Sequence, residues 1–212
     1  MIKYDNVTVT FRGEILFENL SFEIPRNSKT LISAKSGFGK STLFAMALGF
    51  YFPDKGEVFV DGEKVTNENV WGIRKKIAFV DQETSLPQGK VSEWFKYVAS
   101  LKANQHLDFG KEKILAEFEK FELDAKIYDE EITNLSGGEK QRLALITALL
   151  LNRQIYFLDE PTSALDAKLK RKVTDCFLSL EGKTVVIISH DEIWKEIHEI
   201  KIFDMERKQW ER

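Results

Sequence analysis

The residues best suited to chemistry lie in a glycine-bearing turn between a short apolar strand and an apolar helix. Thr30–Ile32 predicts the strand, and the helix is predicted to start near Ser41. Gly37 and Gly39 permit backbone angles that a Cβ disfavours, so successive N–H groups can curl around an anion. The positive end of the helix dipole points to the same place. The turn therefore predicts a phosphate-binding loop.

Lys40 and Ser41 follow the second glycine at the spacing of the phosphate-loop pattern G-x-x-x-x-G-K-[ST]. Lys40 is placed to reach the β- and γ-phosphates of a nucleotide, and the Ser41 hydroxyl is placed to bind Mg²⁺. Ala34 stands where the pattern has its first glycine, and this position tolerates a methyl group if its φ is negative. From this motif alone, a glycine turn before a core helix, with Lys40 in solvent, is the alternative.

Two carboxylates follow a second apolar strand in the run Gln154–Pro161. Asp159 is placed to hold Mg²⁺ directly or through water, and Glu160 is placed to orient and deprotonate an attacking water. Acidic turn residues before a proline are the alternative interpretation. The phosphate loop earlier in the chain favours the catalytic one.

Two further polar side chains follow apolar runs that predict buried strands. Gln82 comes after Lys76–Asp81, and His190 comes after Thr184–Ser189. Open α/β sheets bind ligands at the carboxyl ends of their strands, and an imidazole there can hydrogen-bond a γ-phosphate and sense its loss. Taken singly, an exposed amide and an exposed imidazole are the alternatives.

A second anion site is predicted in the run Leu135–Arg142, before a helix expected to begin at about Gly138. Ser136, Gly137 and Gly138 would offer a hydroxyl, free N–H groups and a favourable dipole end. One phosphate loop suffices to hold one nucleotide. The second site therefore suggests that two chains share a nucleotide.

Composition restricts the class of protein. The 212 residues can bury one sizeable core, so a single domain over 1–212 is expected, with a helical arm inserted at about 83–134. The 31 basic and 34 acidic residues give a net charge of −3, so no nucleic acid partner is expected. The single Cys176 cannot form an intramolecular disulfide, no signal peptide is recognised, and the most apolar run is too short to cross a bilayer. We therefore expect a protein of the cell interior.

Strands must position the phosphate loop. Residues 2–11 and 15–24 alternate in polarity and predict two antiparallel strands joined by a tight turn. Glu57–Val60 predicts another strand, and one or two edge strands are predicted after Glu199. Phe11, at the end of the first strand, either stacks on a nucleobase or packs in the core.

Helices are predicted in the arm and after the carboxylates. Apolar residues at helical spacing predict arm helices over Val91–Leu101 and Lys111–Phe121. Ser163–Asp166 is predicted to turn into a further helix, capped by Ser163 or Asp166.

In this order, the motifs resemble the ATP-binding subunit of ABC transporters over essentially all 212 residues. The sequence L-S-G-G-E-K-Q-R is highly specific for that family. The matching motifs are the phosphate loop Ala34–Thr42, Gln82 as the Q-loop, the signature Leu135–Arg142, the Walker B strand Phe157–Glu160, the D-loop Ser163–Asp166 and the switch histidine His190.

The resemblance implies an α/β fold with a P-loop NTPase core, a mostly parallel sheet, an N-terminal antiparallel β subdomain and the inserted helical arm. It implies that one chain binds the nucleotide through Phe11, Ser36, Gly37, Gly39, Lys40, Ser41 and Thr42. A second chain is implied to contact the same nucleotide through Ser136, Gly137 and Gly138. The implied Mg²⁺ ligands are Ser41, Gln82 and Asp159, and the implied catalytic residues are Glu160, His190, Gln82 and Lys40.

The same resemblance implies that the chain is an ATPase. Two copies would pair head to tail when they bind ATP, and hydrolysis of MgATP would reopen the pair. The resulting conformational change would pass to a separate integral membrane permease through a groove around Gln82. The resemblance therefore implies that the chain lies in the cytoplasm, on the inner face of the membrane. Ser85–Glu93 resembles exporter-type subunits, and the short arm is similar to small bacterial stand-alone exporter ATPases.

Two other functions compete with transport. Soluble ABC-type ATPases act on nucleic acid or the ribosome, but they usually carry long coiled-coil insertions or two fused ATP-binding units. A non-hydrolysing regulatory module is the third hypothesis. It is disfavoured because Lys40, Asp159, Glu160 and His190 are all present.

Overall fold

The computed structural model describes residues 1–11, 13–35 and 37–212, which build two β-sheets and the helices around them. The strands of the first sheet are β1 (Ile2–Phe11), β2 (Glu14–Ile24), β4 (Lys55–Val60) and β5 (Glu63–Lys64). They lie in the order β2-β1-β4-β5 and all neighbours are antiparallel. The predicted N-terminal hairpin and antiparallel β layer are confirmed.

The second sheet is mostly parallel, as predicted. Its strands are β3 (Lys29–Ser33), β6 (Ile77–Val80), β7 (Ile155–Asp159), β8 (Thr184–Ile188), β9 (Lys201–Asp204) and β10 (Gln209–Trp210). They lie in the order β10-β9-β3-β8-β7-β6, and β10 runs antiparallel to β9. Every residue of β7 and β8 is buried, because these apolar strands are covered on both faces.

The α-helices of the described residues are α1 (Lys40–Ala47), α2 (Val70–Arg74), α3 (Val91–Ser100), α4 (Lys111–Lys120), α5 (Gly137–Leu150) and α6 (Ala167–Leu178). Helices α3 and α4 confirm the helical character of the predicted arm. Helix α2 was not predicted, because five residues are too short to show helical periodicity. None of the described helices is both long and apolar enough to cross a bilayer.

Two hydrophobic cores cover the two faces of the parallel sheet. Successive residues of β3 alternate between them, with Leu31 on the side of α3 to α6 and Ile32 on the side of α1 and the antiparallel sheet. On the second side, the ring of Phe44 from α1 stacks on Phe157 of β7 at a centroid distance of 4.4 Å. This stacking fixes the helix after the phosphate loop against the strand that ends in the two carboxylates.

Two expectations about the sheet edges are corrected. The run Lys76–Asp81 was predicted as a buried strand, yet β6 is the edge strand and Phe79 is 40% exposed. After Glu199, one or two edge strands were predicted; one is found, since β10 lies at an edge while β9 pairs with both β3 and β10 and is internal. Edge position depends on pairing between distant segments, which local polarity does not reveal.

Candidate functional site

The predicted phosphate loop connects the carboxyl end of β3 to α1. Gly37 and Gly39 have φ angles of +80° and +81°, the left-handed region that glycine adopts without strain. A Cβ on Gly39 would lie 2.4 Å from Cδ2 of Leu16, so a side chain here would displace Leu16. Ala34 is not among the described residues with positive φ, and the methyl group there fits the backbone. Ser36 lies outside the described residues.

The Lys40 side chain is buried and folds back over this loop. Its Nζ donates to the carbonyl oxygens of Ala34 at 2.8 Å and Lys35 at 3.0 Å, and lies 3.3 Å from Nε2 of His190. Burial lowers the pKa of Lys40, and the negative charges of Glu160 and Asp159 oppose that shift. The loop therefore holds an ammonium group between its own backbone and the end of β8.

Asp159 and Ser41 bring two hard oxygen donors together from segments far apart in sequence. The Ser41 Oγ donates to Oδ2 of Asp159 at 2.5 Å. Burial raises the pKa of Asp159. The hydrogen bond from Ser41 lowers this pKa, but by less than burial raises it. A hydroxyl, one carboxylate and the oxygen of a nearby Gln82 amide are ligands that Mg²⁺ accepts alongside phosphate oxygens. The donor set fits the predicted metal.

Glu160 occupies a strained position with a φ of +48°. A residue with a Cβ in this left-handed region costs roughly 1–2 kcal/mol. Its backbone N–H donates to the Ile188 carbonyl at 2.8 Å, and its Oε2 accepts from Ser189 Oγ at 3.2 Å and His190 N at 3.3 Å. His190 Nε2 lies 3.7 Å from Oε1. The end of β8 thus fixes the Glu160 carboxylate in one orientation.

These groups surround one cavity of about 340 Å³, here called the loop cavity. The predicted site residues that line it are Phe11, Gly37, Gly39, Lys40, Ser41, Thr42, Gln82, Asp159, Glu160 and His190. Phe11 is 58% exposed, which removes the alternative of a core residue. Leu16 and Ile188 also line the cavity and were not identified from the sequence, because apolar strand residues carry no chemical signal.

Ser136, Gly137 and Gly138 do not line the loop cavity. Helix α5 begins at Gly137 with Ser136 as its N-cap: Ser136 Oγ accepts from Glu139 N at 3.3 Å and donates to Glu139 Oε2 at 2.7 Å. Ser136 and Gly137 are exposed. This α5 start, defined as Ser136–Gly138, is therefore an open surface at the positive end of a helix dipole.

The sequence did not reveal two polar networks behind these sites. The buried Gln141 side chain hydrogen-bonds to the segment Glu160–Ala164. Asp191 accepts from Thr162 Oγ1 and from Lys170 Nζ, each at 2.5 Å. Burial raises the pKa of Asp191, but these two hydrogen bonds outweigh it and hold the pKa below its usual value. Gln141 stands among charged residues in the sequence, so neither its burial nor its partners could be predicted. Asp166 caps α6 by accepting from Leu169 N at 2.9 Å, as one of the two predicted caps.

The comparison with family models identifies the chain. The model of the ABC transporter family matches residues 17–163. A Methanocaldococcus jannaschii protein named as an ABC transporter ATP-binding protein, MJ1572, is 34% identical over 202 residues, covering 89% of this chain and 71% of that protein. The ATP-dependent lipid A-core flippase of Pasteurella multocida is 34% identical over 197 residues. That match covers 89% of this chain but 34% of the flippase, so the chain spans about a third of that relative.

Solved structures agree with this result. The ATP-binding cassette MJ0796, dimeric and bound to ADP and Pi in a post-hydrolysis state, superposes with a TM-score of 0.84 at 28% identity. The match covers 100% of this chain and 97% of that cassette. The P-loop NTPase fold predicted from the sequence is confirmed. The chain belongs to the ABC transporter family, as an ATP-binding ATPase domain of that family.

Proposed function

We propose that residues 1–212 form one ATP-binding subunit, with the arm at about 83–134 inserted in it, that pairs head to tail and drives a separate membrane permease. The observation that carries this proposal is the division of the phosphate-binding groups between two places. The charged groups needed for hydrolysis line the loop cavity. The α5 start lies outside this cavity and is exposed, so a second molecule can contact it.

In the loop cavity, the phosphate groups of ATP bind the N–H groups of the loop, including that of Thr42, and the Lys40 ammonium. From its place in the motif, Ser36 is proposed as a further phosphate-binding residue. The adenine ring stacks on Phe11, whose ring is exposed at the rim of the cavity. Ser41, Asp159 and Gln82 would hold Mg²⁺, which would supply positive charge to offset that of the phosphates when it is bound.

Glu160 acts as the general base. Its carboxylate accepts a proton from the water that attacks the γ-phosphate, and the hydrogen bonds from Ser189 and His190 keep it pointed at the cavity. As water attacks, the bond from the γ-phosphorus to the oxygen that joins it to the β-phosphate breaks and ADP leaves. The Lys40 ammonium would offset the charge that develops there. His190 contacts the γ-phosphate through the ring nitrogen that lies between Lys40 Nζ and Glu160 Oε1. Loss of this contact after hydrolysis reports the nucleotide state.

A second copy supplies the α5 start to the same nucleotide. Gly137 is in a helix with a φ that is not positive, and a Cβ there would meet none of the described atoms within 4 Å. Neither backbone strain nor packing in this chain calls for a glycine at that position. An external ligand that approaches the helix N–H groups closely accounts for it. The dimeric state of MJ0796 supports the same pairing.

A groove of about 520 Å³ beside the Gln82 loop fits a permease segment. It lies between the parallel sheet and the arm, and its lining is mostly apolar, including Phe79, Leu86, Trp94, Leu101, Ala144 and Ala148. Gln82 follows β6, the strand that forms one wall of the groove. Only a few residues therefore separate the loop cavity from the groove, and a movement of Gln82 would be transmitted to the groove. We place the chain in the cytoplasm, on the inner face of the membrane, as the permease would require.

The decisive experiment uses Glu160→Gln, which keeps the size of the side chain and removes the base. We expect turnover of MgATP to fall about 10²–10⁴-fold while ATP binding is retained. The solution mass of the variant should change from monomer to dimer on adding MgATP. Turnover at the wild-type rate would contradict the catalytic assignment. A monomer with ATP demonstrably bound would contradict pairing of identical chains.

A further inference from the structure

Gln141 joins the α5 start to the segment that carries Glu160. It lies in the second turn of α5, and its side chain is 2% exposed. Its Nε2 donates to the Glu160 carbonyl at 2.8 Å and to Ser163 Oγ at 3.2 Å. Its Oε1 accepts from Ala164 N at 3.0 Å. One buried side chain thus spans the helix and the segment Glu160–Ala164.

Both ends of the Gln141 amide take part in these contacts. A glutamine side chain has two N–H donors and one carbonyl oxygen, and each has a partner in this segment. Loss of the bond to the Glu160 carbonyl, which is buried, would leave that group without a replacement from water. The link is therefore geometrically specific and resists sliding of α5 relative to Glu160–Ala164.

A close backbone contact supports the same link. A Cβ on Gly138 would lie 3.0 Å from the Ala164 carbonyl oxygen, so the first turn of α5 packs directly on the end of the segment. At the other end of the segment, Glu160 is held in its left-handed conformation, with Gln141 bonded to its carbonyl. A displacement of the α5 start is therefore transmitted to the backbone of Glu160.

We propose that Gln141 is a positioning residue that couples the two nucleotides of the pair. Resting on the proposed head-to-tail pairing, the α5 start contacts the nucleotide of the partner copy while Glu160 faces the nucleotide of its own chain. Gln141 transmits closure of the α5 start on one nucleotide to the carboxylate at the other. Hydrolysis at each site then depends on occupancy of both, and the rate rises cooperatively with MgATP concentration.

The test compares Gln141→Met with a matched control. Methionine keeps the volume of the side chain and removes all three hydrogen bonds. Thr174→Val removes another buried hydroxyl, whose Oγ1 donates to the Lys170 carbonyl at 2.8 Å within α6, away from the loop cavity. Steady-state ATPase activity is measured against MgATP concentration for both variants and the wild type. The solution mass of each variant is measured with MgATP in a Glu160→Gln background.

We expect a wild-type Hill coefficient above 1 and a lower coefficient for Gln141→Met, with kcat lowered about tenfold or more because Glu160 is misplaced. Dimer formation on MgATP should persist, since the α5 start itself is unchanged. Thr174→Val should keep the wild-type profile. If Gln141→Met does not fold, Ser163→Ala removes the bond that Ser163 Oγ accepts from Gln141 and the bond that it donates to the Glu160 carbonyl at 3.1 Å. It should lower the Hill coefficient in the same direction.

Three outcomes would overturn the coupling role while leaving the proposed function intact. Gln141→Met could retain the wild-type Hill coefficient and kcat, or Thr174→Val could lose as much as Gln141→Met. Gln141→Met could also abolish dimer formation, which would make the amide a support for the α5 start alone. By contrast, failure of Glu160→Gln to form a dimer with its Gln141 intact would contradict the pairing and, with it, the coupling.

Discussion

The loop cavity and the α5 start are two anion-binding regions built on different physical principles. In the loop cavity, Lys40, Asp159 and Glu160 are all buried and lie within hydrogen-bonding or charge-pairing reach of their neighbours. At the α5 start, Ser136 and Gly137 are exposed, and the nearby Glu139 is occupied in capping the helix. Chemistry needs preorganised charges shielded from water, whereas docking needs accessible donors.

Glycine serves a different purpose in each region. Gly37 and Gly39 have positive φ, so the chain itself requires them to shape the loop. Gly137 and Gly138 begin a helix and do not have positive φ, so the backbone conformation does not require glycine at either position. Gly138 is explained by its contact with Ala164, but Gly137 has open space around it. The comparison separates the glycines that the chain's own backbone or packing requires from Gly137, which neither of them requires.

The largest effect is expected from Lys40→Ala, which removes a charged group from the loop cavity. Removal of the buried ammonium leaves Asp159 and Glu160 without their nearby cation and the γ-phosphate without its point charge. We expect ATP affinity or turnover to fall about 100-fold or more, equivalent to ~3 kcal/mol. Equilibrium ATP binding and steady-state ATPase assays measure this, with Lys113→Ala on the exposed face of α4 as the control. Unchanged activity in Lys40→Ala would refute the cavity as the reaction site.

A smaller and more diagnostic effect is expected from Gly137→Ala at the α5 start. Alanine in place of a helical glycine should stabilise the chain by about 0.5–1 kcal/mol, because the unfolded state loses freedom. The new methyl group should lower ATPase activity about tenfold by obstructing the approach of the partner's nucleotide. Binding of ATP to the monomer should not change, since Gly137 does not line the loop cavity.

Gly72→Ala provides the matched control for this substitution. Gly72 is a helical glycine of α2 whose Cβ would likewise meet none of the described atoms within 4 Å. We expect a gain in stability of similar sign with ATPase activity unchanged. Equal activity of Gly137→Ala and the wild type, alongside a higher melting temperature, would show that the α5 start is not a ligand surface.

The smallest effect concerns stability without nucleotide. Burial raises the pKa of Asp159, so its charged form destabilises the fold at neutral pH. Asp159→Asn should therefore raise the melting temperature of the nucleotide-free protein while abolishing Mg²⁺-dependent turnover. The penalty applies above the raised pKa and disappears below the unfolded-state value near 3.9, so the difference in melting temperature should shrink as pH falls. A difference that grows toward acid pH would contradict the assignment.

The sequence by itself determined the local elements and the residue types of the site. Backbone freedom of glycine, helix periodicity and β-branched runs act over a few residues, so the phosphate loop, the buried strands β7 and β8 and the arm helices were all predictable. The polar residues at strand ends were identified for the same reason. Their convergence was inferred from the general rule that parallel strands present their carboxyl ends to one side.

Only the tertiary structure decided which of these groups touch. Ser41 meets Asp159 across 118 positions and Lys40 meets His190 across 150, because the order of the strands in the sheet places β3 and β7 on either side of β8. The orientation of Glu160 and the three bonds of Gln141 are likewise set by buried contacts between distant segments. A buried polar group must find a partner, but the sequence does not say which one, since that choice depends on how the whole chain packs.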